Sequence, residues 1–216
     1  MPVTLYTMIG SPPCAFVRSL AKKVGVELEL KKLDFSKKEH LTPEYLKINP
    51  FHKVPTLDDS GFIVYESIAI AYYLLRKYAP KSELYPECVK HRTRIDQVLA
   101  TVNCTIQPHK MAFFRPLMNE KRNPTSEEMT LFEENVLKGF EHLIGDKKFA
   151  VGDQLTIADL RLFSSMIGIF EMRFLDKVKF AKLRDYCERV LPEISGYDEI
   201  YEPVLAATRE RWPHLT

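Results

Sequence analysis

Hydrophobic and polar positions alternate with two different periods in the first part of the chain. The stretch VTLYTM, residues 3–8, has the two-residue period of a half-buried strand, whereas AFVRSLAKK, residues 15–23, has helical spacing. Strand spacing returns at LELKKLDF, residues 28–35, so the first three predicted elements form a βαβ unit. Strands joined in this way pair in parallel through a right-handed crossover.

The remainder of this half predicts a helix, a hairpin and a closing helix. LTPEYLKIN, residues 41–49, predicts a short helix opened by Thr42 and Pro43. VPTLDDSGFIVY, residues 54–65, has two apolar runs around a DDSG turn and predicts a β-hairpin. The helix that follows keeps one apolar stripe at Ala71, Leu74, Leu75 and Tyr78. The predicted order is therefore β-α-β-α-β-β-α.

The second half has only helical spacing. It follows APKSELYP, residues 79–86, whose two prolines and polar residues are typical of a linker. Residues 87–118 predict one long helix bent near Pro108, and two further helices fit within 179–190 and 197–210. Between them, helical spacing holds at Met129, Phe132, Val136, Phe140 and Leu143, and again at Leu160, Phe163, Ile167 and Phe170.

These patterns predict an α/β domain over residues 1–79, a linker over 80–86 and an all-helical domain over 87–216. A net charge of +2 is too small for the basic footprint of a nucleic-acid-binding protein. No apolar stretch is long enough for a membrane span, the N-terminus lacks a signal-peptide pattern, and four scattered cysteines fit a reduced compartment. We therefore expect a cytoplasmic protein with no nucleic-acid or membrane partner.

The sequence DQLTIADL in the second half predicts a helix start. Thr156 and Asp159 have the spacing of a capping box, and Leu155 and Leu160 have the spacing of a hydrophobic staple. We assign Asp159 to folding rather than to catalysis, since helix caps alone explain the pattern.

Three side chains that could carry chemistry meet at the first strand-to-helix turn. Ser11 would be the helix N-cap, Pro12 the first helical residue and Cys14 a member of the first turn. Free backbone N–H groups and the helix dipole favour a bound anion at such a turn. Cys14 could act as a redox thiol and Tyr6 could act from the strand, but core packing explains both. This turn alone leaves the function open.

Two further motifs accompany this turn. Val54 precedes Pro55 at the start of a strand, and a cis bond there would free the backbone of Val54 to pair with an extended ligand. Glu66 and Ser67 lie where the hairpin enters the next helix, a second N-terminus suited to a carboxylate. Helix capping is sufficient to explain either motif by itself. The occurrence of both motifs after the Ser11 turn, in this order along the chain, favours a binding site.

The chain resembles the cytosolic glutathione S-transferases, most closely those of the insect delta and epsilon classes. The stretches that carry the resemblance are GSPPC, EHLTPEYLKINPFHKVPTL, YESIAI and LTIADL, which together with the two-domain layout span essentially the whole chain. The resemblance implies a thioredoxin-like domain followed by an α-helical domain, with glutathione as co-substrate at their boundary and no metal.

The resemblance also implies roles for individual residues. Ser11 matches the catalytic serine whose hydroxyl bonds the glutathione sulfur. The positions that match glutathione-binding residues are His40, His52, Lys53, Val54, the family's cis proline at Pro55, Glu66, Ser67 and Ile68. Many relatives carry Arg or His at the last of these, and isoleucine removes a polar contact near the γ-glutamyl end.

The electrophile is expected against the helical domain. Pro12 and the stretch PHKMAFFRPLM would line its site, with Met111, Phe114, Arg115 and Met118 at helical spacing. Flexible methionines and aromatic faces suit varied hydrophobic electrophiles, and Arg115 could steady developing negative charge. The family further implies a homodimer that acts in detoxification and xenobiotic metabolism.

Other activities occur on the same fold. A glutathione-dependent thiol transferase or peroxidase would use Cys14, although the family's cysteine-type members carry the thiol at the position of Ser11. A zeta-type isomerase is expected to show a Ser-Ser-Cys-like turn, which this sequence lacks. A non-catalytic ligand-binding member would not need the complete glutathione motif set.

Overall fold

A computed structural model describes residues 3–216, and the chain divides into two compact units. The first contains the residues up to Ser82 together with Ile194–Val204, and the second contains Glu83–Glu193 and Leu205–Thr216. The predicted first domain starts at residue 1, and residues 1 and 2 lie outside the described part. Within residues 3–216, no helix is both long enough and apolar enough to cross a bilayer.

The first unit is built on a four-stranded mixed sheet with the order β2-β1-β3-β4. Its strands are β1 (Val3–Thr7), β2 (Leu28–Lys32), β3 (Thr56–Asp59) and β4 (Phe62–Tyr65). β1 pairs in parallel with β2 and antiparallel with β3, so the predicted βαβ unit and hairpin are both confirmed. Ser60 and Gly61 form the hairpin turn, and their φ angles of 58° and 90° are the left-handed pair that such a tight turn requires.

Three α-helices follow the order that the sequence predicts in this unit. They are α1 (Pro12–Lys23), α2 (Pro43–Ile48) and α3 (Ser67–Tyr78), with a short 3₁₀ turn at Glu39–Leu41. Gly25, at a φ of 73°, follows the end of α1 in the left-handed conformation that favours glycine. Side chains of β1, β3, α1 and α3 form the core of the unit, among them the fully buried Leu5, Leu57, Phe16, Leu20, Ile70 and Leu74.

The second unit is helical, and two of its helical stretches contain π-helical turns. Its helices are α4 (Val89–Thr101), α5 (Gln107–Glu120), α6 (Ser126–Phe132), α7 (Lys138–Ile144), α8 (Ile157–Met166) and α9 (Ala181–Val190). The long helix expected over 87–118 with a bend near Pro108 is present as α4, a π-helical turn at Val102–Ile106 and α5, which follow one another directly. Proline has no N–H to donate to the carbonyl four residues earlier, and the wider turn accommodates that loss. The second π-helical turn spans Glu133–Leu137.

The single helix predicted within 197–210 is divided into α10 (Tyr197–Ile200) and α11 (Glu202–Arg211). Pro203 explains the break, because it has no N–H for the carbonyl of Glu199. α10 lies in the first unit, where it packs on α1. There Glu199 forms ion pairs with Arg18 and Lys22.

The capping box predicted for α8 is confirmed. Asp159 is fully buried and accepts four hydrogen bonds. Oδ2 accepts from the backbone N–H and the hydroxyl of Thr156 at 2.8 and 3.0 Å, and Oδ1 accepts from Ala150 N–H at 2.8 Å and Tyr186 O–H at 2.6 Å. Asp159 thus joins the start of α8, the loop before it and α9, a structural role.

Candidate functional site

One edge of the sheet gathers the predicted motifs of the first unit. Tyr6, near the end of β1, lies opposite Thr56 at the start of β3, and Thr56 lies opposite Tyr65 at the end of β4. The turn that carries Ser11 leaves β1 at this edge, Val54-Pro55 enters β3 there, and Glu66-Ser67 leaves β4 there. Since β2 runs parallel to β1, the segment that leads from β2 to His40 starts at the same edge. The sheet therefore brings these four segments together.

Ser11 is the N-cap of α1, and its side chain is buried. Its Oγ accepts a hydrogen bond from the Cys14 N–H at 3.4 Å, which leaves the hydroxyl hydrogen for another acceptor. Pro12 and Pro13 occupy the first two helical positions and have no N–H groups. The turn therefore offers fewer backbone donors than an ordinary helix start, and the Ser11 hydroxyl and the helix dipole are the main groups that favour an anion here.

Cys14 and Tyr6 occupy supporting positions near this turn. Cys14 is almost fully buried, and burial raises the pKa of its thiol. A buried, protonated thiol is a poor nucleophile, which disfavours the redox interpretation of this cysteine. Tyr6 packs against Tyr45, with ring centroids 5.5 Å apart. Both residues thus have a packing role in the first unit.

The Val54-Pro55 peptide bond is cis, as the resemblance implies. Tyr45 of α2 and Asn49, the C-cap of that helix, hold the loop before it. The Tyr45 hydroxyl and the Asn49 amide both donate to the carbonyl of Lys53, at 2.5 and 3.0 Å, and the Asn49 amide also donates to Thr56 Oγ1 at 2.9 Å. Sequence analysis missed these two positioning residues. The available signal was the polar Asn49 at the C-cap of a short helix.

Glu66 has a backbone conformation that is rare for a residue with a side chain. Its φ is 68°, in the region that favours glycine, and it is the N-cap of α3 without a side-chain capping bond. Such a conformation costs about 1–3 kcal/mol and is concentrated at functional sites. The Glu66 side chain is exposed, Ser67 is buried and Ile68 is half-buried.

The histidines at this edge are also close to each other. The rings of His40 and His52 are 6.3 Å apart, and His40 stacks on Phe35 at 3.9 Å. The Nδ1 of His40 is buried and has no hydrogen-bond partner among the described residues. Lys53 and His52 are exposed, so the edge has basic side chains open to a ligand carboxylate.

The predicted electrophile-binding residues are divided between the units. Pro12 is the first residue of α1, whereas the other four lie on α5 in the second unit. Met111 and Arg115 are exposed and Met118 is half-buried. Phe114 is buried, because its ring stacks on Trp212 with centroids 5.0 Å apart. Phe113, Phe132 and Phe174 extend this aromatic cluster.

No group of three or more His, Cys, Asp or Glu side chains that could hold a metal ion occurs between residues 3 and 216.

Two family models and several solved structures match the chain. The model described as "Glutathione S-transferase, N-terminal domain" matches residues 1–76, and "Glutathione S-transferase, C-terminal domain" matches residues 107–199. A delta-class glutathione transferase of Nilaparvata lugens is 32% identical, with a TM-score of 0.91 over 100% of both chains. A glutathione transferase of Bombyx mori is 30% identical, with a TM-score of 0.90 over 98% of both chains.

An epsilon-class glutathione S-transferase from the housefly, Musca domestica, is 28% identical, with a TM-score of 0.85 over 97% of this chain and 98% of that chain. The fold agrees with these matches, since a thioredoxin-like sheet unit is combined with an all-helical unit. The chain therefore belongs to the glutathione S-transferase family.

Proposed function

We propose that this chain conjugates the thiolate of glutathione to small hydrophobic electrophiles, with the Ser11 hydroxyl donating a hydrogen bond to the thiolate. The observation that carries the proposal is the buried Ser11 at the sheet edge where the other three glutathione motifs start. Its Oγ accepts from the Cys14 N–H, and burial raises the pKa of the neighbouring Cys14 thiol.

The energy required matches what one hydroxyl supplies. A free thiol has a pKa of roughly 8.5, so only a few per cent of it is ionised at neutral pH. Lowering that pKa by about two units needs about 2.7 kcal/mol of preferential binding of the thiolate. A hydrogen bond to a charged acceptor contributes about 1.5–3 kcal/mol, and the N-terminus of α1 adds about 0.3–1 kcal/mol.

The remaining glutathione contacts follow from the groups at the edge. We propose that the Val54 backbone, freed by the cis bond to Pro55, pairs with the cysteinyl unit of glutathione. Glu66 and Ser67 bind the γ-glutamyl ammonium and carboxylate at the start of α3, beside the apolar Ile68. His40, His52 and Lys53 bind the glycyl carboxylate, and His52 and Lys53 are exposed at this edge.

For the electrophile we propose Pro12 and one face of α5, namely Met111, Phe114, Arg115 and Met118. On the family resemblance we further propose a cytoplasmic homodimer that acts in detoxification of xenobiotics. Light scattering at micromolar concentration tests the assembly, and the mass of a single chain of 25.1 kDa would refute it.

A comparison of Ser11→Ala with Cys14→Ala tests the proposed mechanism. For Ser11→Ala we expect the pKa of bound glutathione, measured by the ultraviolet absorbance of the thiolate, to rise by roughly one to two units. The conjugation rate at neutral pH should then fall about ten- to a hundredfold and partly recover in alkali. Cys14→Ala should keep most of the activity and lose some stability through a small cavity.

The opposite pattern would overturn the mechanism. If Ser11→Ala left the thiol pKa unchanged while Cys14→Ala abolished turnover, the chain would be a thiol transferase that uses Cys14. A wild-type protein that binds glutathione but conjugates no member of an electrophile panel would be a non-catalytic ligand-binding member.

A further inference from the structure

Two cationic side chains of the second unit meet between α5 and α8. The Lys110 Nζ, on α5, donates a hydrogen bond to the backbone carbonyl of Ser165 on α8. The guanidinium of Arg161, also on α8, donates to the hydroxyl of the same serine and, at 2.8 and 3.1 Å, to Asn103 Oδ1. Arg161 is only 2% exposed. Because one serine contacts both cations, the two positive charges lie close together.

Lys110 has more hydrogen-bond donors than the chain satisfies. An ammonium group has three N–H donors, and the carbonyl of Ser165 is the only acceptor that contacts it among residues 3–216. Lys77 of the first unit, by comparison, pairs with the carboxylate of Asp59 at 2.6 Å. Removing an ammonium from water is costly unless it is paired and hydrogen-bonded. The two remaining donors of Lys110 therefore indicate an acceptor that comes from a ligand.

The charge of Arg161 favours an anion at the same place. Burial, together with Arg161, lowers the pKa of Lys110 to about 7. The positions three and four residues away from Lys110 on α5 are all uncharged, so the charged group that faces it is Arg161 of α8. Two neighbouring cations repel each other in the free protein, and a bound anion relieves that repulsion. The pair is therefore better suited to a ligand-bound state than to an empty one.

Lys110 lies on the same face of α5 as two residues proposed for the electrophile. Phe114 and Met118 follow it by four and eight residues, which is the spacing of one helical stripe. Phe114 is buried and Met118 is half-buried, so the stripe continues from the ammonium into apolar side chains. An anion bound by Lys110 is therefore next to the surface that holds the hydrophobic part of the electrophile.

We propose that Lys110 is the anion-binding residue of the electrophile site, and that the preferred electrophiles are hydrophobic molecules that carry one carboxylate. This inference rests on the proposed conjugation and specifies its substrate class. The guanidinium of Arg161 is already engaged by Asn103 and Ser165, which makes Arg161 a positioning residue. The free donors are those of one ammonium, and they match a single carboxylate better than a doubly charged phosphate.

A matched pair of electrophiles tests this preference. The first is a chlorodinitrobenzene with a carboxylate opposite the chlorine, and the second is the corresponding neutral carboxamide. With either compound the glutathione sulfur forms a bond to the ring carbon, and chloride leaves with the bonding electrons. The readout is kcat/KM at about pH 6.5, divided by the uncatalysed rate with glutathione, where Lys110 is mostly protonated.

Substitution of Lys110 should change the ratio of these two values. The wild-type protein should favour the carboxylate, and Lys110→Met should lower the carboxylate-to-carboxamide ratio at least about tenfold through loss of a charge-assisted bond. Lys110→Arg keeps the positive charge and should retain the ratio within about threefold. Lys177→Met removes an exposed lysine of the same unit and is the control, with a ratio within about twofold of wild type.

The pH dependence of the ratio separates ligand binding from a structural role. Since kcat/KM reports the free enzyme, the wild-type ratio should fall at least about fivefold between about pH 6.5 and 8.5, as Lys110 loses its proton. Ionisation of glutathione affects both compounds equally and cancels in the ratio. In Lys110→Arg the ratio should not change over this range, because the guanidinium stays charged.

The fluorescence of Trp212 verifies that each variant is folded. If the carboxamide is conjugated but Lys110→Met leaves the ratio unchanged, or the wild-type ratio is independent of pH, this inference is overturned while the proposed conjugation stands. A protein that conjugates neither compound would overturn both.

Discussion

Replacement of Asp159 by asparagine tests whether this buried carboxylate serves folding. Asparagine has the same volume, so the change leaves no cavity and affects only charge and hydrogen bonding. One carboxylate oxygen becomes an NH₂ group, which faces either the Ala150 N–H and Tyr186 O–H or the Thr156 N–H and O–H. The hydroxyl in either pair can turn to accept from the new NH₂ group. The backbone N–H has no such freedom and loses its partner.

The expected loss of stability follows from these four bonds. A buried N–H without a partner costs about 1–3 kcal/mol. Two of the four donors still face an oxygen atom, but that oxygen no longer belongs to a charged group. Each of these two hydrogen bonds is then weaker by about 1 kcal/mol. Relief from burying a charge offsets part of this sum. We therefore expect Asp159→Asn to lower the free energy of unfolding by about 2–4 kcal/mol.

Urea denaturation monitored by Trp212, the only tryptophan of the chain, measures this effect in the unit that contains Asp159. Tyr186→Phe is the matched comparison, because it removes one O–H donor and leaves Oδ1 with the Ala150 N–H. It should cost about 1–2 kcal/mol, less than the asparagine variant. At low temperature the folded fraction of Asp159→Asn should retain wild-type conjugation. A variant with an unchanged urea midpoint and no activity would show that Asp159 is catalytic.

Two further predictions concern other perturbed groups. Glu66→Gly relieves the positive φ of 68° and removes the carboxylate. We therefore expect the affinity for glutathione to fall while the urea midpoint stays the same or rises. Unchanged affinity would exclude Glu66 from the site. The Lys110 Nζ donates to the carbonyl of Ser165, and burial, with Arg161 nearby, lowers the pKa of Lys110 to about 7. Because the unfolded chain keeps that proton to about pH 10.5, stability should rise with pH from about 7 to 10.5. Lys110→Met should lose this rise. For one proton the rise between pH 7 and 9 is at most about 3 kcal/mol, and it is smaller because the side chain is half-buried. Equal pH profiles of the two proteins in urea titrations would contradict the assignment.

Local patterns predicted the sheet unit well because its signals are short in range. The strand periods, the DDSG turn and the Ser11 and Thr42 caps each depend on neighbouring residues, and the structure places each as expected. The same holds for the Thr156 capping box. The π-helical turn at Val102–Ile106 lies next to Pro108, where the sequence predicts a bend. The break between α10 and α11 was not predicted, because the apolar spacing alone indicates one helix and Pro203 lacks the hydrogen-bond donor that would continue it.

Features that depend on contacts between distant segments were not predictable from local patterns. The isomer of the Val54-Pro55 bond was one of them, because both isomers are compatible with the same sequence. The support of Lys53 by Tyr45 and Asn49 depends on how α2 packs beside the loop. In the candidate site, the family resemblance supplied the residues and the strand register supplied their common edge.

The return of Ile194–Val204 to the first unit makes that unit discontinuous along the chain, with a consequence for synthesis. When the ribosome has produced Ser82, α1 still lacks the partners that α10 provides, including the buried Ile200. At about 5–20 residues per second, roughly 6 to 25 seconds pass before Val204 is made. During that interval the nascent sheet unit exposes the α1 surface that α10 later covers. A chain truncated at the linker would retain this exposed surface permanently.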